Sequence, residues 1–232
     1  LLHVFNTHEL GCYNDEELGG LELSCRYFRM EEDGSISCRC PNNKSCPRYY
    51  APGTLRVELA FDEDSMASAT FSDKAGRIVL RRRYRQYTGD PSDTYYVYDD
   101  YGRLGCVLPP RAVEAIAGKS TVPGEIIDKW CYRYRYDSRD RCIARKLPGQ
   151  DETLYIYDKL ERMVLSQDGE QRKHAEWSVI AYDRMGRKVL EGRAKLPGAT
   201  QESLQRVWGS QLMTAAYDPA SMMEYDMQYR LD

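Results

Sequence analysis

Cysteines are the first residues of this chain whose number and spacing could do chemistry. The sequence has eight of them, and an even count favours disulfides in an exported protein. Those nearest the start of the chain are Cys12, Cys25, Cys38, Cys40 and Cys46. The last three could bind zinc with a fourth cysteine, but they lack the paired Cys-x2-Cys spacing typical of such sites. Disulfides are therefore favoured over zinc and over free thiols, and we assign no metal or cofactor.

One disulfide can be argued from a local hairpin. Residues 21–30 and 35–40 have the composition of two strands around a turn at 31–34. With a four-residue loop, Cys25 would lie directly opposite Cys40. The sequence therefore predicts a cross-strand disulfide between these two cysteines.

Aspartates recur in a repeated phrase that consists of an aromatic residue, an aspartate, two variable residues, usually a glycine, then a basic residue and an apolar run. The aspartates of its five copies are Asp73, Asp99, Asp137, Asp158 and Asp183. A row of carboxylates could serve acid–base catalysis. However, an aspartate that opens a turn accepts hydrogen bonds from the amides that follow it, and this role accounts for every copy. The histidines are too scattered for a triad or a metal site, so we predict no catalytic residue.

The fourth residue of each turn is expected to adopt the left-handed conformation that closes a type I turn with a bulge. Glycine, which adopts it freely, is present as Gly76, Gly102 and Gly186. Asp140 and Glu161 occupy this position in the other two copies. Because glutamate tolerates a positive φ poorly, we expect the Asp158 turn to differ in geometry from the others.

Tyrosine-rich segments precede these turns, at residues 94–98, 130–136 and 154–157. Their period-two alternation is typical of strands, so each phrase describes one β-hairpin. We expect a mainly β fold, in which antiparallel hairpins add side by side into a curved or spiralling sheet. The prolines at 109 and 110 interrupt this pattern, and two or three short helical insertions are expected, the last one capped by Thr200.

Three segments follow from these patterns. Residues 1–53 form a cysteine-rich, irregular β lead-in, and residues 54–193 form the hairpin array with a helical insertion at about 110–129. Residues 194–232 hold a short helix and terminal strands in which the array continues. The basic run at 81–85 is interpreted as a solvated strand edge, because charged side chains there prevent edge-to-edge pairing.

Composition excludes several classes of partner. The chain has 232 residues and a formal charge of −3, which is unlike a nucleic-acid-binding protein. No segment approaches the about 18 to 20 apolar residues of a membrane span. Nineteen tyrosines against four phenylalanines suit a thin sheet with one wet face, because tyrosine combines ring area with a polar hydroxyl.

The phrase and the tyrosine-rich strand before it resemble the YD repeats of the Rhs family, whose phrase is Tyr-Asp-x-x-Gly-Arg-Leu. The resemblance covers about residues 54–192 and is nearest to Rhs-like proteins of Bacteroidetes, on the segments 95–110 and 166–169. It implies a large exported protein, periplasmic or on the cell surface, whose hairpins form a spiralling sheet. In toxin-bearing members that sheet encloses a C-terminal effector. The phrase at 218–221 lacks the glycine of the family's self-cleavage region, so that activity is not carried over.

The resemblance and the turn roles together predict a non-enzymatic scaffold or shell. Its expected partners are other segments of a longer Rhs-like chain, or the effector of that chain. The alternative is a module that binds carbohydrate or a cell surface, since exposed aromatic rings can stack on sugars. The tyrosines considered for that role are Tyr95, Tyr132, Tyr134 and Tyr155.

Overall fold

Antiparallel β-hairpins make up most of the fold. The computed structural model describes residues 2–6, 23–38, 49–51, 53–61, 67–84, 91–117, 119–217 and 225–227. The chain forms two compact units, Leu1–Arg133 and Tyr134–Asp232. The mainly β class with a few short helices, predicted from the sequence, is confirmed.

The first unit contains about half of one antiparallel sheet and two helices. Its elements are β1 (Leu2–Asn6), β2 (Arg29–Met30), β3 (Ile36–Ser37), β4 (Arg56–Phe61), β5 (Ala67–Ser72), β6 (Ile78–Arg83), β7 (Ser92–Tyr98), β8 (Leu104–Leu108), α1 (Pro110–Ala115), α2 (Gly124–Trp130) and the first residues of β9 (Tyr132–Tyr136). The sheet runs in the order β1-β4-β5-β6-β7-β8-β9, and β2 pairs with β3 separately. Apart from β1, neighbours in the sheet are neighbours in sequence, so each hairpin forms from local signals.

Alternation along the strands builds the core of this unit. In β5 and β7 every second residue is buried, because successive side chains point to opposite faces of a strand. Phe71 and Leu108 are fully enclosed, and α1 and α2 add Ala112 and Ile127 to the same core.

The first hairpin has a different register from the predicted one. Arg29 pairs with Ser37 and Met30 with Ile36, which is one residue away from the pairing that puts Cys25 opposite Cys40. The reason is a shorter loop that Gly34 closes with φ 78°. Cys40 lies outside the described residues, so its disulfide with Cys25 stays a prediction.

The second unit contains the rest of β9 and the later hairpins. Its further elements are β10 (Cys142–Lys146), β11 (Thr153–Tyr157), β12 (Met163–Gln167), α3 (Gly169–Lys173), β13 (Glu176–Tyr182), β14 (Lys188–Lys195), α4 (Gln201–Trp208), β15 (Ala215–Tyr217) and β16 (Tyr225–Met227). The sheet continues in sequence order to β14, and β15 pairs with β16 separately. A core of its own surrounds Trp177, with Ile156, Val164 and Leu165.

Local sequence explains the helices. The two insertions after β8 begin close to Pro110 and Pro123. The N-cap of α4 is Thr200, whose hydroxyl accepts a hydrogen bond from the amide of Ser203. The short helix α3 lies in a polar segment, residues 167–173. Asp168 caps α3 through the amide of Gln171, and the Gln171 side chain binds the Asp168 amide in return. No helix in the described residues is long and apolar enough to cross a membrane.

Candidate functional site

One aspartate closes each repeated turn. In the first copy, Oδ1 of Asp73 accepts hydrogen bonds from the amides of Ala75 and Arg77, both at 2.9 Å, and Oδ2 accepts one from Nε of Arg77 at 2.8 Å. The backbone adds a bond from the Gly76 amide to the Asp73 carbonyl. The same three carboxylate bonds recur at Asp99, Asp137, Asp158 and Asp183.

The left-handed residue of the turn is present in every copy. Gly76, Gly102 and Gly186 have φ values of 79°, 81° and 80°, and Asp140 and Glu161 have 61° and 62°. The expectation that the Asp158 turn differs is therefore wrong. Its carboxylate makes the same bonds as the others, and these bonds hold the glutamate in a conformation that it would otherwise avoid.

The arginine after each turn was missed as part of this site by sequence reasoning. It is arginine in all five copies, at positions 77, 103, 141, 162 and 187, and this invariance within the chain is the signal that could have identified it. A guanidinium can donate from Nε while its plane lies against a ring, which a lysine cannot do. At Arg162 the pair is largely enclosed, since the side chain of Asp158 is 0% exposed and that of Arg162 is 15% exposed.

A tyrosine then connects one hairpin to the hairpin before it. Tyr182, the residue before Asp183, donates its hydroxyl to the carbonyl of Met163 at 2.8 Å, and the guanidinium of Arg162 lies 4.6 Å from its ring centroid. Tyr157 makes the same pair of contacts with Cys142 and Arg141, and Tyr98 makes it with Ile78 and Arg77. We call this arrangement the Asp–Arg–Tyr link. It shows what the tyrosine of the phrase contacts, namely the turn of the preceding hairpin.

The electrostatics of the link favour structure over proton transfer. The Arg187 amide and then the Arg187 side chain bind the Asp183 carboxylate and lower its pKa. Burial alone would raise the pKa of Asp137, but hydrogen bonds from Arg141 and from the turn amides outweigh it and lower that pKa. Burial raises the pKa of the Tyr98, Tyr157 and Tyr182 hydroxyls. At neutral pH these two carboxylates are ionised, and both oxygens of each accept hydrogen bonds from the turn amides and its arginine.

The four tyrosines considered for sugar stacking have different surroundings. Tyr95 is 2% exposed, and its ring packs edge-on against Phe28 with 4.8 Å between centroids. Its hydroxyl donates to Asp93 and accepts from the Arg26 amide, each at 3.3 Å. Tyr95 therefore has no open ring face. Tyr132, Tyr134 and Tyr155 are half-buried, with Tyr132 in the first unit and the other two in the second.

The basic run on β6 contains a buried charge that the sequence interpretation missed. Arg82 is 3% exposed and binds Asp93 through Nε at 2.7 Å and through a terminal nitrogen at 2.6 Å. Its neighbours Arg81 and Arg83 are exposed. The interpretation of this run as a solvated strand edge is wrong, because β6 pairs with both β5 and β7. Strand alternation also turns the side chain of Arg82 into the core.

The remaining candidate groups do not form a reacting set in the described part of the chain. His174 is exposed at the end of α3, where its Nε2 lies 3.4 Å from Glu170. Cys12, Cys40 and Cys46 lie outside the described residues. The zinc alternative and the Cys25–Cys40 disulfide both depend on them.

Fold and site together define a class, a mainly β protein of serial hairpins whose turns are closed by aspartate–arginine pairs. No family model and no curated protein matches the sequence. The solved Tc holotoxin pore of Photorhabdus luminescens, with a mutation in TccC3, is similar at 14% identity and a TM-score of 0.46, covering 86% of this chain and 10% of that chain. The crystal structure of TcdB2-TccC3 without its hypervariable C-terminal region is similar at 14% identity and a TM-score of 0.47, covering 81% of this chain and 10% of that chain. The crystal structure of TcdB2-TccC3 is similar at 13% identity and a TM-score of 0.43, covering 82% of this chain and 13% of that chain. This chain thus spans about a tenth of the length of these chains.

Proposed function

We propose that this chain is a non-enzymatic structural module, an arc of the β-sheet scaffold or shell of a longer, exported Rhs-like protein of the Bacteroidetes type. The observation that carries the proposal is the Asp–Arg–Tyr link. It joins three of the hairpins to the preceding one through side chains of the repeated phrase itself, at Tyr98, Tyr157 and Tyr182. The aspartate, arginine and tyrosine of the phrase bind one another and the backbone, and in this way they hold neighbouring hairpins together.

The last arginine of the series supports this proposal. Arg187 binds Asp183 as its counterparts do, yet its side chain is 77% exposed, compared with 11% for Arg141 and 15% for Arg162. The difference at Arg162 is the ring of Tyr182, which covers it. β14 also ends the strand order of the second unit among the described residues. Arg187 and the outer edge of β14 therefore form a receptor for a further hairpin whose first strand ends in Tyr-Asp.

A cyclised peptide of residues 153–167 tests this receptor. Isolated hairpins are marginally stable, so the cyclic form ensures that Tyr157 is presented as in the array. We expect the peptide to shift the NMR signals of the Arg187 side chain and the β14 amides. The same peptide with Tyr157→Ala and the protein variant Arg187→Ala are matched controls, and both should lose the shifts. Absence of shifts with the unmodified peptide at millimolar concentration would overturn the receptor.

In this proposal the partners of the module are neighbouring segments of the longer chain, or the effector that such a chain encloses. The aspartates of the phrase serve the turns, and no cofactor has a role. A periplasmic or cell-surface location follows from the Rhs-like assignment and belongs to the same proposal.

A second candidate is glycan binding, and one observation favours it. Tyr134 and Tyr155 belong to the same unit and both are only half-buried. A glycan array with the unmodified protein and with Tyr155→Ala tests it. Tyr101→Ala is the matched control, because Tyr101 is 83% exposed at a turn tip. Binding that is lost only in Tyr155→Ala would make the protein a recognition module, whereas no binding would leave the scaffold proposal alone.

A further inference from the structure

Two cysteine side chains meet inside the first unit. Cys106 lies in β8, and Cys131 lies between the end of α2 and the start of β9. Both are 0% exposed and belong to the same core. They are separate thiols in this structure.

The strand register explains why these thiols meet. Cys106 pairs with Arg133 and Val107 with Tyr132 across β8 and β9. Cys131 lies two residues before Arg133, just before β9 begins, and its backbone is extended, so its side chain lies on the same face as that of Cys106. The two thiols lie within hydrogen-bonding reach of each other, and the thiol of Cys131 also donates to the carbonyl of Ile126 at 3.8 Å. The thiol of Cys106 donates to that of Cys131, and this bond lowers the pKa of Cys131.

Two other described cysteines have different partners. The thiol of Cys25 donates to the carbonyl of Arg26 at 3.6 Å. The thiol of Cys142, in the second unit, donates to the carbonyl of Ala144 at 3.4 Å. Mutual contact between thiols therefore distinguishes Cys106 and Cys131 from these two.

We propose that Cys106 and Cys131 form a disulfide when the protein folds in the presence of a disulfide oxidant. The two S–H bonds break, and a bond forms between the two Sγ atoms. The oxidant R–S–S–R loses its S–S bond, accepts the two electrons and the two protons, and leaves as two R–SH molecules. Oxidation occurs during folding, before the core closes over both thiols.

The disulfide would join β8 and β9 where few residue pairs connect the two strands. Two residue pairs define the register between β8 and β9, and the chain between them leaves the sheet to form α1 and α2. A covalent bond between Cys106 and Cys131 closes that loop and restricts the unfolded chain. It would fix the start of β9 on β8 after the helical insertion.

Peptide mapping of the unmodified protein tests the disulfide without any variant. The reduced, denatured chain is refolded with reduced and oxidised glutathione, its remaining thiols are alkylated, and it is digested with trypsin. Arg111 and Lys129 lie between the two cysteines, so trypsin separates their peptides unless a disulfide joins them. We expect the joined peptide to predominate. Recovery of both cysteines in alkylated form, or joined to other cysteines, would overturn the proposal.

A thermal measurement adds a second readout. Closing this loop should raise Tm by about 7 to 13 °C over the reduced protein. Cys142→Ala is the matched control and should keep both the joined peptide and the shift. Cys131→Ala should lose both. These outcomes do not depend on the proposed scaffold function.

Discussion

At the scale of single residues, the Asp–Arg pair appears in two environments that differ mainly in burial. Arg162 and Arg187 make the same bond from Nε to a turn carboxylate, at 2.8 Å and 2.6 Å. The first carboxylate is fully buried, and the second arginine is exposed. The exposed pair at Arg187 can therefore serve as the control when the arginine of the buried pair, Arg162, is removed.

Arg162→Met should lower the free energy of unfolding by about 3 kcal/mol, because it strands a buried carboxylate. Arg187→Met should cost less than about 1 kcal/mol, as expected of an exposed pair. Urea denaturation followed by circular dichroism measures both. Equal losses in the two variants would contradict the assignment of the difference to burial.

The lowered pKa of Asp137 predicts how the stability of the fold depends on pH. Its pKa is lowered in the folded state from an ordinary value of 3.8. Its ionised form therefore stabilises the fold above that ordinary value, and the contribution is lost as pH falls through the lower, folded pKa. The stability difference between the unmodified protein and Asp137→Asn should be constant above about pH 5 and should shrink below about pH 4. Denaturation at a series of pH values measures it, and a difference that persists unchanged at low pH would rule this out.

At the scale of the turn, Glu161 provides a test of backbone strain. Its φ of 62° is unfavourable for a side chain that bears a Cβ. Glu161→Gly should raise the free energy of unfolding by about 1 kcal/mol. Leu160→Gly is the control, since Leu160 is in the same turn, is 61% exposed and has no positive φ. It should give no gain, and a gain of equal size would show that strain at position 161 is not the cause.

The opposite change is available in another copy of the turn. Gly186 has φ 80°, and a Cβ there would meet no atom within 4 Å. Gly186→Ala should therefore cost about 1 kcal/mol through backbone strain alone. A neutral effect in thermal denaturation would mean that this turn relaxes to another conformation.

At the scale of neighbouring hairpins, Tyr182→Phe tests the Asp–Arg–Tyr link. The substitution keeps the ring against Arg162 and removes the hydrogen bond to the Met163 carbonyl. The expected loss is about 1 kcal/mol in the free energy of unfolding. Tyr101→Phe, at an 83% exposed tyrosine, should change nothing. Similar losses in both variants would mean that the hydroxyl bond does not stabilise the link.

The hairpins could be predicted from the sequence because their signals are local. Strand alternation, the turn aspartate and the left-handed position all lie within one phrase. What the tyrosine contacts could not be predicted in this way, since Tyr182 meets Arg162 and Met163 only once two hairpins are aligned. Asp158 was assigned to its turn from the sequence, but its full burial depends on packing by residues of other elements. The pairing of Arg82 with Asp93 was missed for the same reason, because it joins adjacent strands in the core.

At the scale of the whole molecule, β14 is an edge strand at which the chain can associate. Its outer side has no partner strand among the described residues, and unpaired backbone groups on an edge strand invite further pairing. Lys188, Glu191, Arg193 and Lys195 line this strand and are exposed. Charged side chains on an edge strand oppose non-specific edge-to-edge pairing but still allow a specific hairpin to bind.

Replacing two of these charges should therefore produce self-association. Glu191→Val with Arg193→Val alters two residues on one face of β14, and we expect faster-sedimenting species to appear in velocity sedimentation. Arg81→Val with Arg83→Val is the matched control. Both of these arginines are exposed on β6, which lies between two paired strands. The control adds the same apolar side chains away from a free edge. Association in both variants would therefore mean that exposed hydrophobic surface is the cause. Association only in the β14 variant would identify the strand edge as the cause.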